Sequence, residues 1–113
     1  MKYFDISEFD CQETGKNWMN ERFLLMIDEL RYRCGFPFVI TSGYRSPSHS
    51  VEIVKIKPGQ HTEGRAADIQ VNGGAQRFAI VKQALAMGFT GIGIAKDFIH
   101  VDTRRTEPML WVY

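Results

Sequence analysis

Three histidines occur in the chain, His49, His61 and His100. Two of them sit where they could hold a metal. His61 lies in the segment Pro-Gly-Gln-His-Thr-Glu-Gly-Arg-Ala-Ala-Asp-Ile, seven residues before Asp68. His100 lies in Asp-Phe-Ile-His-Val-Asp. Asp68 falls between Ala67 and Ile69 in an otherwise apolar run. A carboxylate there is costly unless a cation or several donors satisfy it, and the nearest fixed cation in the chain is Arg65. A zinc ion would satisfy it, since zinc takes imidazole nitrogen and carboxylate oxygen and commonly keeps three protein ligands at a reactive site. One carboxylate cancels half the charge of the ion. The remainder can lower the pKa of a bound water and polarise a carbonyl. Spacing alone leaves other readings open. A histidine on a strand often serves as a hydrogen-bonded structural residue, and Asp68 could pair with Arg65 or cap a turn. The set lacks the tight spacing of a His-Glu-x-x-His helix.

The elements that must position these residues are readable in part. A helix is predicted over 21–34. Asn20 suits its N-cap and Glu21 its first turn. Phe23, Ile27, Leu30 and Cys34 form a stripe with Leu24 beside it, and Gly35 suits the left-handed C-terminal position. Residues 36–41 read as a strand ending at Ser42-Gly43. A polar segment from Tyr44 to Arg65 follows, in which 51–56 is apolar enough for a short helical turn or a strand. Irregular stretches of this length are often functional. Residues 66–71 read as a strand and Asn72-Gly73-Gly74 as a turn. Residues 75–87 read as a helix with Ala75, Phe78, Ala79, Leu85 and Ala86 on one face and Gly88 as its stop. Residues 89–95 and 98–103 read as an antiparallel strand pair around Lys96-Asp97, and 107–113 as a last strand. The fold class expected is α+β, a small, mostly antiparallel sheet with two main helices.

The 113 residues fit one domain, 1–113, and the 44% hydrophobic content supplies its core. A formal net charge of +1 with scattered Lys and Arg argues against nucleic acid as a partner. No apolar run approaches the roughly 20 residues that span a bilayer, so no membrane partner is expected. No signal-like apolar segment follows the first residues, so cytoplasmic synthesis is expected, with action on an outside target only after release. Cys11 and Cys34 read as two small buried thiols; whether they pair is open.

The blocks Ser42-Gly43-Tyr44-Arg45-Ser46, His61-x6-Asp68 and Asp97-x-x-His100 together resemble the zinc D-alanyl-D-alanine carboxypeptidase family. That family includes VanY-type carboxypeptidases and phage endolysins of the L-alanyl-D-glutamate endopeptidase kind. The resemblance runs from about Ser7 to about Arg104. It implies a Hedgehog/DD-peptidase-like fold, a Zn2+ cofactor and a peptidoglycan stem peptide as substrate. It implies His61, Asp68 and His100 as metal ligands and Asp97 as the base that takes a proton from water. Residues three apart on a regular strand face opposite ways, so Asp97 reaches the site only from the turn before the strand. Asp102 shares a face with His100 and is the rival. Arg45 would orient the substrate by a two-pronged grip on a carboxylate or carbonyl, or it braces the loop. Gln60 and Tyr44 are further substrate-contact candidates, each with a plain loop or packing role as the alternative. His49 is expected in exposed loop. Residues 51–57 depart from the glycine-rich stretch expected before His61. One cysteine at position 11 speaks against a second metal there. A phage or prophage product, acting as a monomer on the wall after release or within a phage particle, is the expected setting. The alternative is a metal-stabilised structural or wall-binding module without turnover.

Overall fold

The chain's fold is given by a computed structural model that describes residues 1–54 and 59–113. A short 3-10 turn at Ile6–Phe9 precedes the first helix, α1, at Glu21–Cys34. α1 has the predicted bounds. The Asn20 side chain accepts a hydrogen bond from the Phe23 amide at 2.9 Å, and Gly35 takes a left-handed φ of 77°. Phe23, Leu24, Ile27 and Leu30 are buried as the stripe requires.

Strand β1 is shorter than predicted, Ile40–Ser42. Pro37 has no amide to donate to a ladder, and Phe36 and Phe38 stack on each other instead, with ring centroids 5.5 Å apart. Strand β2 follows at Ala66–Gln70, helix α2 at Gly74–Met87, and strands β3 at Gly91–Ile94, β4 at Phe98–Asp102 and β5 at Met109–Val112. Residues 51–54 form turns; the rest of the expected 51–57 element lies outside the described residues. The sheet order is β1-β2-β4-β3-β5. All pairs are antiparallel except β3 with β5. The α+β class is therefore as expected, and the tail is the strand that makes the sheet mixed.

One face of the sheet carries the core. Ala67, Ile69, Ile92, Ile99 and Val101 alternate along β2, β3 and β4 and pack under the helices. The predicted face of α2 is corrected by the structure. Ile80 and Ala84 are the buried residues, whereas Phe78 and Leu85 are exposed. α2 is apolar nearly all round, so periodicity does not select a face, and packing on the sheet does. The opposite sheet face carries Asp68, His100, Asp102, Gly91, Gly93 and Trp111 at alternate positions.

Candidate metal centre

Register places the two strand-borne candidates side by side, since Asp68 on β2 is the direct partner of His100 on β4. His61 comes from the turn before β2. Its ring is aimed by the Gly43 carbonyl, 2.8 Å from Nδ1, and its own carbonyl accepts from the Arg45 and Gly64 amides at 3.2 Å each. Gly43 has no room for a side chain, because a Cβ there would stand 2.6 Å from Phe9 Cα. This close approach lets Tyr44 donate its amide to the Phe9 carbonyl at 2.8 Å, so the first block is clamped to the N-terminal turn.

The result is a buried cluster. One Asp68 oxygen, Oδ1, lies 3.4 Å from His61 Nε2 and 3.0 Å from His100 Nδ1. The ligand atoms of His61, Asp68 and His100 all lie within 4.8 Å of one another. The outer nitrogen of each ring is already engaged. The Gly43 carbonyl takes the proton of His61 Nδ1, and an Asp102 oxygen takes that of His100 Nε2 at 2.7 Å. That leaves two imidazole nitrogens and a carboxylate facing one point. Groups of this kind packed so closely in a buried site must share protons or a cation between them. A proton on His100 Nδ1 meets part of this demand and a divalent ion meets all of it, so the donor set fits zinc.

The electrostatics agree. Burial pushes the Asp68 carboxyl up, but hydrogen bonds to His100 and His61 outweigh it and hold the group well below the usual carboxylate range. Burial pushes His100 down, and the hydrogen bonds to Asp102 and Asp68 more than reverse this, so its pKa is raised. Asp102 is fully buried. Burial raises it, and His100 and Arg104 bring it down to about 2. The Arg104 fork grips both Asp102 oxygens, at 2.9 Å from Nε and 2.6 Å from Nη2.

The cluster lies at the base of a cleft of about 500 Å³. Arg45 and Gln60 line it, and Arg45 stands 3.8 Å from Asp68 Oδ2. Asp68 thus meets Arg45, not Arg65. Two candidates do not reach the cleft wall. Tyr44 is 2% exposed and packs against Trp18 beneath the loop, ring centroids 6.0 Å apart. Asp97 occupies the predicted bend before β4, but it is exposed, and Phe98, His100 and Asp102 are the β4 residues turned to the site face. His49 is half-buried rather than exposed and pairs with Glu13 at 3.2 Å. Cys34 is half-buried and Cys11 buried, and both are free thiols.

Several site residues escaped the sequence. Glu52 is buried in the loop, where it holds Arg45 at 3.3 Å, the Gly59 amide at 3.0 Å and Thr62 at 2.9 Å. The signal was a lone carboxylate in an apolar run. Gly91 and Gly93 leave the site face open opposite Asp102 and His100, and the alternation Gly-Ile-Gly-Ile announces this. Arg104, Trp111 and Tyr113 also line the cleft.

Among curated proteins no sequence matches. The family model described as Peptidase M15 matches residues 2–102, from the N-terminal turn to the end of β4. That span holds all three converging residues and the loop that aims His61, and the chain belongs to the peptidase M15 family.

Proposed function

We propose that this chain is a zinc metallopeptidase that hydrolyses an amide bond in bacterial peptidoglycan stem peptides, of the D-alanyl-D-alanine carboxypeptidase or L-alanyl-D-glutamate endopeptidase type. One observation carries the reading: two imidazole nitrogens and a buried carboxylate face a single point in an open cleft. Peptidases of this family are metal-dependent. When bound, zinc supplies Lewis-acid polarisation of a carbonyl. His61, Asp68 and His100 are the proposed ligands, through Nε2, a carboxylate oxygen and Nδ1.

The chain's own residues do the rest. Asp102 keeps His100 in the tautomer that frees Nδ1, and Arg104 holds Asp102. Arg45, braced by Glu52, presents a fixed cation to a substrate carbonyl or carboxylate. Gln60 lines the same cleft and is the proposed contact for a substrate amide. Asp97 is the proposed base, taking a proton from the attacking water and returning it to the leaving amine. It precedes Phe98, a cleft residue, and catalytic contacts that are loose in a free enzyme tighten in the complex. The burial of Asp102 and its two partners, His100 and Arg104, support Asp97 over it for that role. A phage or prophage source belongs to the same proposal, by analogy with the endolysins.

The exposed position of Asp97 favours one second reading, a metal-stabilised wall-binding module without turnover. Purified cell wall distinguishes them. The zinc-loaded protein is expected to release stem-peptide fragments, identified by mass spectrometry. Asp97→Ala is expected to lower the rate by about 10²–10⁴ with zinc content and folding kept. Zinc binding with no fragment released establishes the second reading.

A further inference from the structure

Part of the cleft lies beyond the matched residues 2–102. Arg104, Trp111 and Tyr113 follow them and line it. Trp111 on β5 pairs with Gly93 on β3, and Tyr113 follows the strand's last residue, Val112. Gly93 makes their position possible. A Cβ there would stand 2.6 Å from Trp111 Nε1 and 2.8 Å from a Tyr113 ring carbon. The two rings therefore lie across the glycine toward the metal set. Trp111 is 5.1 Å from the His100 ring, centroid to centroid, and carries the Arg104 guanidinium 4.9 Å above its own ring. Tyr113 sits 5.0 Å from Phe98 and 6.3 Å from Trp111.

A ring cluster that only seals a sheet edge is buried by it. Tyr113 is instead 68% exposed, although the hydrogen bond from its amide to the Ile94 carbonyl fixes its backbone at 3.0 Å. A rigidly mounted aromatic with an open face, beside buried reactive groups, is the usual form of a binding anchor. Across the cleft stand Arg45 and Gln60, which suit a carboxylate and a peptide amide. The cleft thus offers aromatic faces as well as polar groups.

We propose that Phe98, Trp111 and Tyr113 form a substrate-binding wall, which takes the aliphatic side chain flanking the scissile amide of an acidic peptide while the peptide's polar edge meets Arg45. This rests on the peptidase reading for the substrate class. Trp111 is in contact with a metal ligand, so Tyr113 is the residue that separates binding from metal retention.

The test uses zinc-loaded protein and a synthetic pentapeptide that contains both the L-alanyl-D-glutamyl and the D-alanyl-D-alanine links. Tyr113→Ala is expected to raise KM about tenfold, or about 1.4 kcal/mol, while kcat changes less than twofold and zinc stoichiometry holds. Tyr113→Phe, which keeps the ring face, is expected to restore most of the loss. In a Trp18→Phe background Trp111 is the remaining tryptophan, and its emission is expected to shift on adding the peptide. An unchanged KM in Tyr113→Ala, a KM rise that tracks zinc loss, or no emission shift each overturns the wall. A protein that cuts neither link but still shows the emission shift fails the peptidase reading and keeps the wall.

Discussion

His100 and Asp102, two residues apart on the same strand, bond to each other through Nε2 and a carboxylate oxygen 2.7 Å apart. Strand residues two apart share a face but do not normally touch. They touch here because Gly91, the partner of Asp102 on β3, leaves space for the carboxylate to lean over. The contact decides which nitrogen of His100 is free.

Asp102→Asn tests that decision. Its amide can present oxygen or nitrogen to His100, it carries no charge, and it leaves the Arg104 fork without its anion. Loss of such an outer partner typically costs 10–100-fold in metal affinity. Zinc affinity, measured by competition with a chromogenic chelator, is expected to fall within that range while the fold persists. Parent-like affinity would remove Asp102 from the metal centre.

Proton and metal compete for His100 Nδ1, which sets the pH dependence. In the metal-free protein the raised pKa of His100 contributes stability that is complete below the unfolded value of about 6.5 and lost as pH rises through the folded value. The lowered pKa of Asp68 works the other way. Its contribution is complete above the unfolded value of about 3.9 and lost as pH falls through the folded value. The metal-free protein therefore holds both contributions between about 4 and 6.5. Zinc binding must release the His100 proton, so its stabilisation grows with pH. The difference in melting temperature between zinc-loaded and chelated protein is expected to be small at pH 5 and several degrees at pH 8, since saturation at a hundred times Kd contributes about 2.7 kcal/mol. An equal difference at both pH values would count against His100 as a ligand.

The sequence made some of this legible and hid the rest for physical reasons. α1 was readable to the residue because its caps are local: Asn20 and Gly35 act within one turn. The candidate set His61, Asp68 and His100 was readable from the carboxylate in an apolar strand together with the motif blocks around it, and the structure brings those three residues together. The face of α2 was not, since Phe78 and Leu85 are as apolar as Ile80 and Ala84, and only contact with the sheet chooses between them. The role of Asp102 depends on space left by Gly91, a residue eleven positions away. Trp111 and Tyr113 join the cleft through the parallel pairing of β5 with β3, and pairing between segments this far apart leaves no mark in local periodicity. Asp97 shows the converse case. A matching motif named it, and the structure places it exposed in the bend before β4, next to the cleft residue Phe98 but not among the lining residues.

Gly91→Ala probes the same centre from the opposite strand. A methyl group there would fall on the Asp102 carboxylate, closer than any van der Waals contact, while the backbone of Gly91 needs no positive φ. The clash is therefore with the side chain alone. Asp102 is fully buried and gripped by Arg104, so it has little room to yield. Overpacking of this kind costs about 1–3 kcal/mol, and here it must also turn Asp102 away from His100. Gly91→Ala is expected to lower the melting temperature and weaken zinc binding together. Gly74→Ala is the control, at the first residue of α2 with nothing within 4 Å of the added carbon. It is expected to leave zinc affinity unchanged and stability equal or raised by about 0.4–1 kcal/mol. If Gly91→Ala bound zinc like the parent and melted no lower, the space at Gly91 would not be what brings Asp102 onto His100, and the positioning of the metal centre would have to come from β4 and Arg104 alone.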